Sequence, residues 1–182
     1  MKTKDLSYVA LMTSILIILG IIPGIPLGII PVPIVLQNLG IILAGLILGT
    51  KRGTWSILLL LLLAALGLPV LSGGRGGFSV FLGPTAGYMF GWVLTPLLIN
   101  WGLSLLKTNK RFLLQFITTW CAAVLTTDLI GTLWLTWQNN MSFTTALLSN
   151  IVFLPGDTLK VLLSLLLAKA LNSQSFSQNT LL

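Results

Sequence analysis

Thr54-Trp55-Ser56-Ile57-Leu58-Leu59-Leu60-Leu61-Leu62-Leu63-Ala64-Ala65-Leu66-Gly67-Leu68-Pro69-Val70 is an unbroken run of mostly apolar residues in the first half of the chain. It carries no charge, and an apolar run of this length, at least about 17 residues, is what a membrane-crossing helix needs. Lys51 and Arg52 stand just before it, and a glycine-rich segment, Ser72-Gly73-Gly74-Arg75-Gly76-Gly77-Phe78, follows it. Working outward, similar runs occupy residues 6–22, 34–49, 84–106, 112–137 and 155–171. Six transmembrane helices then account for nearly the whole chain, and the fold class is an all-α integral membrane protein.

Composition points the same way. Of 182 residues, 55% are hydrophobic and 7% are charged, where a soluble domain carries about 25% charged residues. So little polar surface cannot cover a water-exposed globule, and the lipid bilayer becomes the main solvent. At about 20 residues per crossing no length remains for a soluble domain. Residues 1–182 read as a single transmembrane domain. Lys2 and Lys4 ahead of an apolar stretch resemble a signal peptide. No small-x-small cleavage site lies near Ile22-Pro23-Gly24, and five more spans follow, so this segment reads as the retained first helix.

The net charge is +7, but no basic stripe interleaved with aromatics marks a nucleic-acid surface. Lys2, Lys4, Lys51, Arg52, Lys107, Lys110, Arg111 and Lys169 all fall on one side of a six-span arrangement, and Arg75 on the other. The excess of positive charge on cytoplasmic loops places both termini in the cytoplasm. There is no histidine and a single cysteine, Cys121. Zinc-protease and Ser-His chemistry are thereby excluded, and neither a metal nor a cofactor is expected.

The irregular segments converge on the outer side. Pro23 to Pro33 holds four prolines and two glycines without a charge. Irregular backbone at membrane depth persists only where protein or a cavity surrounds it, so this loop is a candidate pocket lid. Gln138-Asn139-Asn140 is a polar turn, and Ser142 is a plausible cap for a short helix reaching Phe153.

In Leu154-Pro155-Gly156-Asp157-Thr158-Leu159-Lys160, Asp157 falls in the first turn of the last helix, where the helix dipole favours an anion. Lys160 shares its face. Ionisable groups inside a span are costly and usually mark a substrate path; the plainer reading is a buried pair that fixes packing. Asp128 reads as structural, an acid holding Lys160 or Arg75 in place. Arg75 is either a carboxylate anchor or a solvated loop charge. Gly83, Gly87 and Gly91 recur every fourth residue, the spacing of close helix contacts in membranes. Gln37 and Asn38 point about 100° apart on a helix, so one faces a pocket and the other a neighbouring helix. Ala10 and Ser14 form a further small-residue face; spacing alone favours packing within the chain over docking of a partner helix.

Val32-Pro33-Ile34-Val35-Leu36-Gln37, the stretch from Gly73 to Tyr88, and Pro155-Gly156-Asp157-Thr158-Leu159-Lys160 together, in this order, resemble the BioY family. These are substrate-binding (S) components of energy-coupling factor (ECF) transporters in the bacterial plasma membrane. The resemblance implies six helices around an outward-facing biotin pocket. The implied partners are a transmembrane coupling subunit and a pair of cytoplasmic ATPases. It carries Asp157 and Lys160 over as ligand contacts, and Ala10 and Ser14 as a docking face on the first helix. At Arg75 family members can have a small polar residue such as Asn. Biotin's ureido N–H groups suit Asp157, which would accept one or both. Its apolar bicycle suits Phe78, Phe81 and Tyr88, and its carboxylate suits Lys160, Arg75 or the backbone N–H groups of Gly74, Gly76 and Gly77. Gln37 is a further expected contact. The expected function is capture and import of biotin without chemistry. The alternatives are another vitamin, or an intramembrane enzyme using Asp128 and Asp157.

Overall fold

The computed structural model describes residues 2–26, 31–106 and 111–178. Leu27 to Ile30 of the proline-rich loop, Lys107, Lys110 and the last four residues lie outside the described residues. The elements are α1 (Thr3–Ile21), α2 (Gln37–Ala65), a 3-10 turn (Phe78–Leu82), α3 (Ala86–Leu105), α4 (Phe112–Trp120), a π-helical turn (Cys121–Leu125), α5 (Thr126–Gln138), α6 (Phe143–Ser149), a 3-10 turn (Asn150–Val152) and α7 (Leu154–Gln178). The molecule is all-helical, as its composition led one to expect.

Four helical segments are long and apolar enough to cross a membrane, or five when α6 and α7, bent by 53° at their junction, count as one. The expectation was six, and the difference lies in α2. A straight helix of 29 residues would run about 44 Å, well beyond a hydrocarbon core of about 30 Å. Instead the chain turns back at Gly49, whose φ of 73° and ψ of −174° are not helical. Glycine reaches positive φ without a Cβ penalty. The two arms then touch. A Cβ on Gly53 would lie 2.7 Å from the carbonyl oxygen of Ala44, although nine residues of straight helix separate groups by about 13 Å. At the open end the Ser72 N–H donates to Gln37 Oε1 at 3.0 Å. α2 is therefore a helical hairpin whose arms match the expected second and third runs.

The turn of that hairpin sits at the basic end of the bundle. Arg52 Nε donates to Asp5 Oδ1 at 2.8 Å, tying the start of α1 to the turn. Lys169 lies 4.5 Å from the centroid of the Phe112 ring, joining the far end of α7 to the start of α4. The opposite end gathers the irregular segments. There Ile25 and Ile34 exchange backbone hydrogen bonds of 2.9 and 3.0 Å, folding the proline-rich loop back on itself.

Helices approach closely where glycines allow it. A Cβ on Gly91 would meet Thr127 Cα of α5 at 2.8 Å, and one on Gly87 would clash with the Trp134 side chain. The packing role expected of Gly87 and Gly91 holds. Gly83 precedes α3 and caps the 3-10 turn instead. Gly91→Leu should separate α3 from α5 and lower stability by about 1–3 kcal/mol, the usual cost of overpacking; thermal unfolding of the detergent-solubilised protein reads it. Around this interior the surface is inverted relative to a soluble protein. Leu11, Ile18, Leu62, Leu133 and Trp101 are all exposed, which only a lipid solvent favours.

Two sequence expectations change here. α1 buries Val9, Met12, Thr13, Leu16 and Gly20, whereas Ala10 and Ser14 are exposed. The Ala10–Ser14 face thus does not pack within the chain, because the neighbouring stripe fits against the α2 hairpin: Thr13 Oγ1 donates to the Ser56 carbonyl at 3.1 Å. The last apolar run ends at Leu171, but α7 continues as far as Gln178, since no proline or glycine between Leu171 and that point breaks it.

Candidate functional site: a cavity at the irregular end of the bundle

Asp157 enters α7 one turn after Phe153, whose carbonyl accepts its N–H at 2.9 Å. The turn is continuous through Pro155 because proline, lacking an N–H, is tolerated in the first turn. Lys160 follows three residues later and donates to Asp157 Oδ1 at 2.7 Å, with both side chains 9% exposed. Asn38 Nδ2 reaches the same oxygen at 3.3 Å from α2, and Asn38 Oδ1 accepts from Trp92 Nε1 of α3 at 3.0 Å. A line of hydrogen bonds therefore runs Trp92–Asn38–Asp157–Lys160 across three helices.

This line borders a cavity, and small-molecule sites are typically apolar hollows with a few orienting polar groups. Val32, Ile34 and Val35 from the proline-rich segment, Met89 and Phe153 supply apolar walls, while Tyr88 and Trp92 supply aromatic ones. Ser72, Arg75, Thr85, Asn38, Asp128, Asp157 and Lys160 bring polar groups. The proline-rich segment is thus part of the cavity wall.

Of the residues expected to meet a ligand, Asp157, Lys160, Arg75, Tyr88 and Gln37 line the cavity, and Gly74, Gly76, Gly77 and Phe78 do not. Gly77, at φ +93°, gives its N–H to the Ala64 carbonyl at 2.7 Å. Gly76 packs on the Leu68 carbonyl, where a side chain has no room. Gly74 takes φ +70° to bring the loop round. These glycines bend the chain so that Arg75 faces the cavity. Phe78 is 67% exposed and sits beside Phe81 with ring centroids 6.3 Å apart. Trp92, one turn along α3 from Tyr88, supplies the second aromatic ring of the cavity wall, a position the i, i+4 spacing marks.

Gln37 also differs from expectation. Its side chain is fully buried, and both amide hydrogens are engaged, with the Leu16 carbonyl at 3.1 Å and the Val70 carbonyl at 2.9 Å. Its carbonyl oxygen takes the Ser72 N–H. Gln37 therefore ties α1, α2 and the glycine-rich loop together at the cavity's edge, and Asn38 is the amide that reaches Asp157. Arg75 Nε donates to the Ser72 carbonyl at 3.1 Å. Among the described residues Arg75 forms no ion pair, and its remaining guanidinium donors are available at the cavity wall.

Asp128 does not hold a cation. Lys160 pairs with Asp157 instead, and Asp128 Oδ2 is buried with no hydrogen-bond partner among the described residues. Its backbone carbonyl is held by Thr132 Oγ1 at 2.8 Å and by Asn150 Nδ2 at 3.0 Å. Asn150 Oδ1 in turn accepts from the Tyr88 hydroxyl at 2.6 Å.

The BioY family model matches residues 1–176. A "Biotin transporter BioY" from Lactococcus lactis subsp. cremoris (strain MG1363) is 47% identical over 175 residues, covering 95% of this chain and 93% of that protein. A protein of the same name from Rhizobium etli is 40% identical over 178 residues, covering 93% and 94%. Among solved structures, the crystal structure of "the S-component for biotin from an ECF-type ABC transporter" superposes with a TM-score of 0.89 at 46% identity, over 94% of this chain and 92% of that one. A family model over residues 1–176, relatives covered over more than nine-tenths of both chains and a solved structure of the same fold agree, and the chain belongs to the BioY family.

Proposed function

We propose that this chain is the substrate-binding subunit of an ECF-type transporter of the bacterial cell membrane, and that it captures biotin in the cavity beside Asp157 and Lys160. The observation that carries the reading is the buried Asp157–Lys160 pair in the wall of a mostly apolar cavity. Biotin matches it part for part. A ureido ring offers N–H donors to a carboxylate and a carbonyl to an ammonium or amide donor, its bicycle suits Trp92, Tyr88 and Val32, and its carboxylate suits Arg75. The names of the relatives support the same ligand. No chemistry is asked of the ligand, so the subunit binds and hands over rather than catalyses.

In this reading residues 1–182 form one transmembrane domain with six crossings, the α2 hairpin counting as two and α6–α7 as one. The basic end, with Arg52, Arg111 and Lys169, faces the cytoplasm together with both termini, by the excess of positive charge there. The cavity then opens outward. The exposed Ala10–Ser14 face of α1 is the docking surface for the transmembrane coupling subunit, because small side chains let helix backbones approach closely in lipid. A pair of cytoplasmic ATPases supplies the energy.

Isothermal titration of the purified protein with biotin and desthiobiotin tests the ligand. Saturable heat with both is expected, and no heat and no competition at micromolar ligand would remove the proposal. Asp157→Asn should weaken biotin by about 1–3 kcal/mol, the scale of a hydrogen bond to a charged group. Wild-type affinity in a folded Asp157→Asn protein would take Asp157 out of the site.

A further inference from the structure

The cavity has a lower neighbour. A second, smaller space lies against it, and Asn38, Trp92, Asp128 and Asp157 border both. Trp92, Asn38 and Asp157 are joined to one another by hydrogen bonds. Asp128, on α5, is not. Its side chain is buried at 7% exposure, and its Oδ2 has no partner among the described residues. Buried carboxyl oxygens without a partner are rare in folded proteins and costly. Nor is the residue adrift: two hydrogen bonds hold its backbone carbonyl. The cations that border the cavity do not answer it. Lys160 is taken by Asp157, and Arg75 forms no ion pair among the described residues.

From this arrangement we infer that Asp128 is a second carboxylate of the ligand site, accepting the second N–H of the ligand's cyclic urea opposite Asp157. The inference rests on the biotin reading and deepens it. In a cyclic urea the two N–H bonds point to opposite flanks of the carbonyl, so one carboxylate cannot accept both. Asp157 is also partly engaged. Its Oδ1 already takes Lys160 Nζ and Asn38 Nδ2, which fills the lone pairs of that oxygen and leaves Oδ2 for one ligand proton. Arg75 cannot serve as the other acceptor, since guanidinium only donates. Asp128 borders the same cavity from a different helix and has an acceptor to give. Two carboxylates reading two N–H groups make the site specific for an intact urea.

The test pairs a variant with the ligand. The full chain, purified in detergent, is titrated with biotin and with two isosteric cyclic carbamates, in each of which one ureido N–H is replaced by a ring oxygen. Wild-type protein should lose about 10- to 100-fold in affinity for either carbamate. Asp128→Asn should lose a similar factor for biotin, yet change by less than about threefold for the carbamate that lacks the N–H facing residue 128. For the other carbamate it should show its full loss. Unchanged biotin affinity in Asp128→Asn, or equal losses for both carbamates, would overturn the role of Asp128. Should Asp128→Asn fail to fold, the wild-type titrations decide alone: tolerance of either carbamate within about threefold means a single N–H acceptor and overturns the inference. A wild-type chain that binds no biotin overturns the ligand reading itself, and this inference with it, an outcome distinct from the others.

Discussion

Lys160→Met should abolish measurable biotin binding and lower stability by about 3–5 kcal/mol, the cost of breaking a buried ion pair from one side. Lys160 is 7% exposed and Asp157 6%, so neither charge has bulk water to fall back on. Removing the ammonium leaves the Asp157 carboxylate with the long Asn38 contact of 3.3 Å as its remaining side-chain hydrogen bond among the described residues. The methionine side chain fills the same space, which separates loss of charge from loss of volume. Thermal unfolding in detergent and titration with biotin read the two effects. The double variant Asp157→Asn, Lys160→Met should recover part of the stability but not the binding, because the uncompensated charge is gone while the ligand's partners are still missing. A double variant no more stable than Lys160→Met would show that the pair contributes through packing.

Gln37→Leu is expected to be nearly as damaging to the fold while sparing the ligand chemistry. The substitution keeps the bulk of a fully buried side chain but orphans two backbone groups, the carbonyl of Val70 and the N–H of Ser72, and removes the second hydrogen bond of the Leu16 carbonyl. Each buried orphan costs about 1–3 kcal/mol, so a loss of at least about 2 kcal/mol is the expected result. Because Ser72 leads into the loop that carries Arg75, biotin affinity should fall through looser positioning. Addition of saturating biotin should then raise the unfolding temperature of this variant, as ligand binding to the folded state requires. Lys160→Met, by contrast, should gain nothing from biotin. A Gln37→Leu protein with wild-type stability would remove Gln37 as the tie between α1, α2 and the glycine-rich loop.

Much of this protein is legible in one dimension because lipid imposes a simple rule. Long uncharged runs such as Thr54 to Val70 mark the helices, although this one ends at Ala65, and the basic residues between them cluster at one end of the bundle. The pair Asp157–Lys160 is equally legible, since two ionisable groups three residues apart in an apolar helix have one another as the nearest remedy. The turn at Gly49 is legible in outline: a glycine beside Lys51 and Arg52 parts two runs. That it reverses the chain and brings the two arms of α2 into contact is visible only in the fold.

What spacing could not supply is which neighbour each polar group meets. Gln37 and Asn38 are adjacent amides with the same chemistry, and which of them ties the helices together and which reaches Asp157 depends on where Val70 and Trp92 arrive from distant parts of the chain. Phe78 and Trp92 are both aromatic near the same end, yet one is turned out to 67% exposure and the other is buried at 6%. Asp128 was expected to hold a cation; that Lys160 pairs with Asp157 instead, and that Asp128 Oδ2 has no hydrogen-bond partner among the described residues, is decided by how α5 and α7 are placed against α3. The sequence by itself determined the solvent, the helical class, the basic end and the local pair on α7, because each follows from hydrophobicity and from contacts within a turn or two. The tertiary structure alone decided the cavity, its Trp92–Asn38–Asp157 border and the second carboxylate, because these are contacts between residues more than fifty positions apart, whose meeting is governed by helix packing rather than by neighbours in the chain.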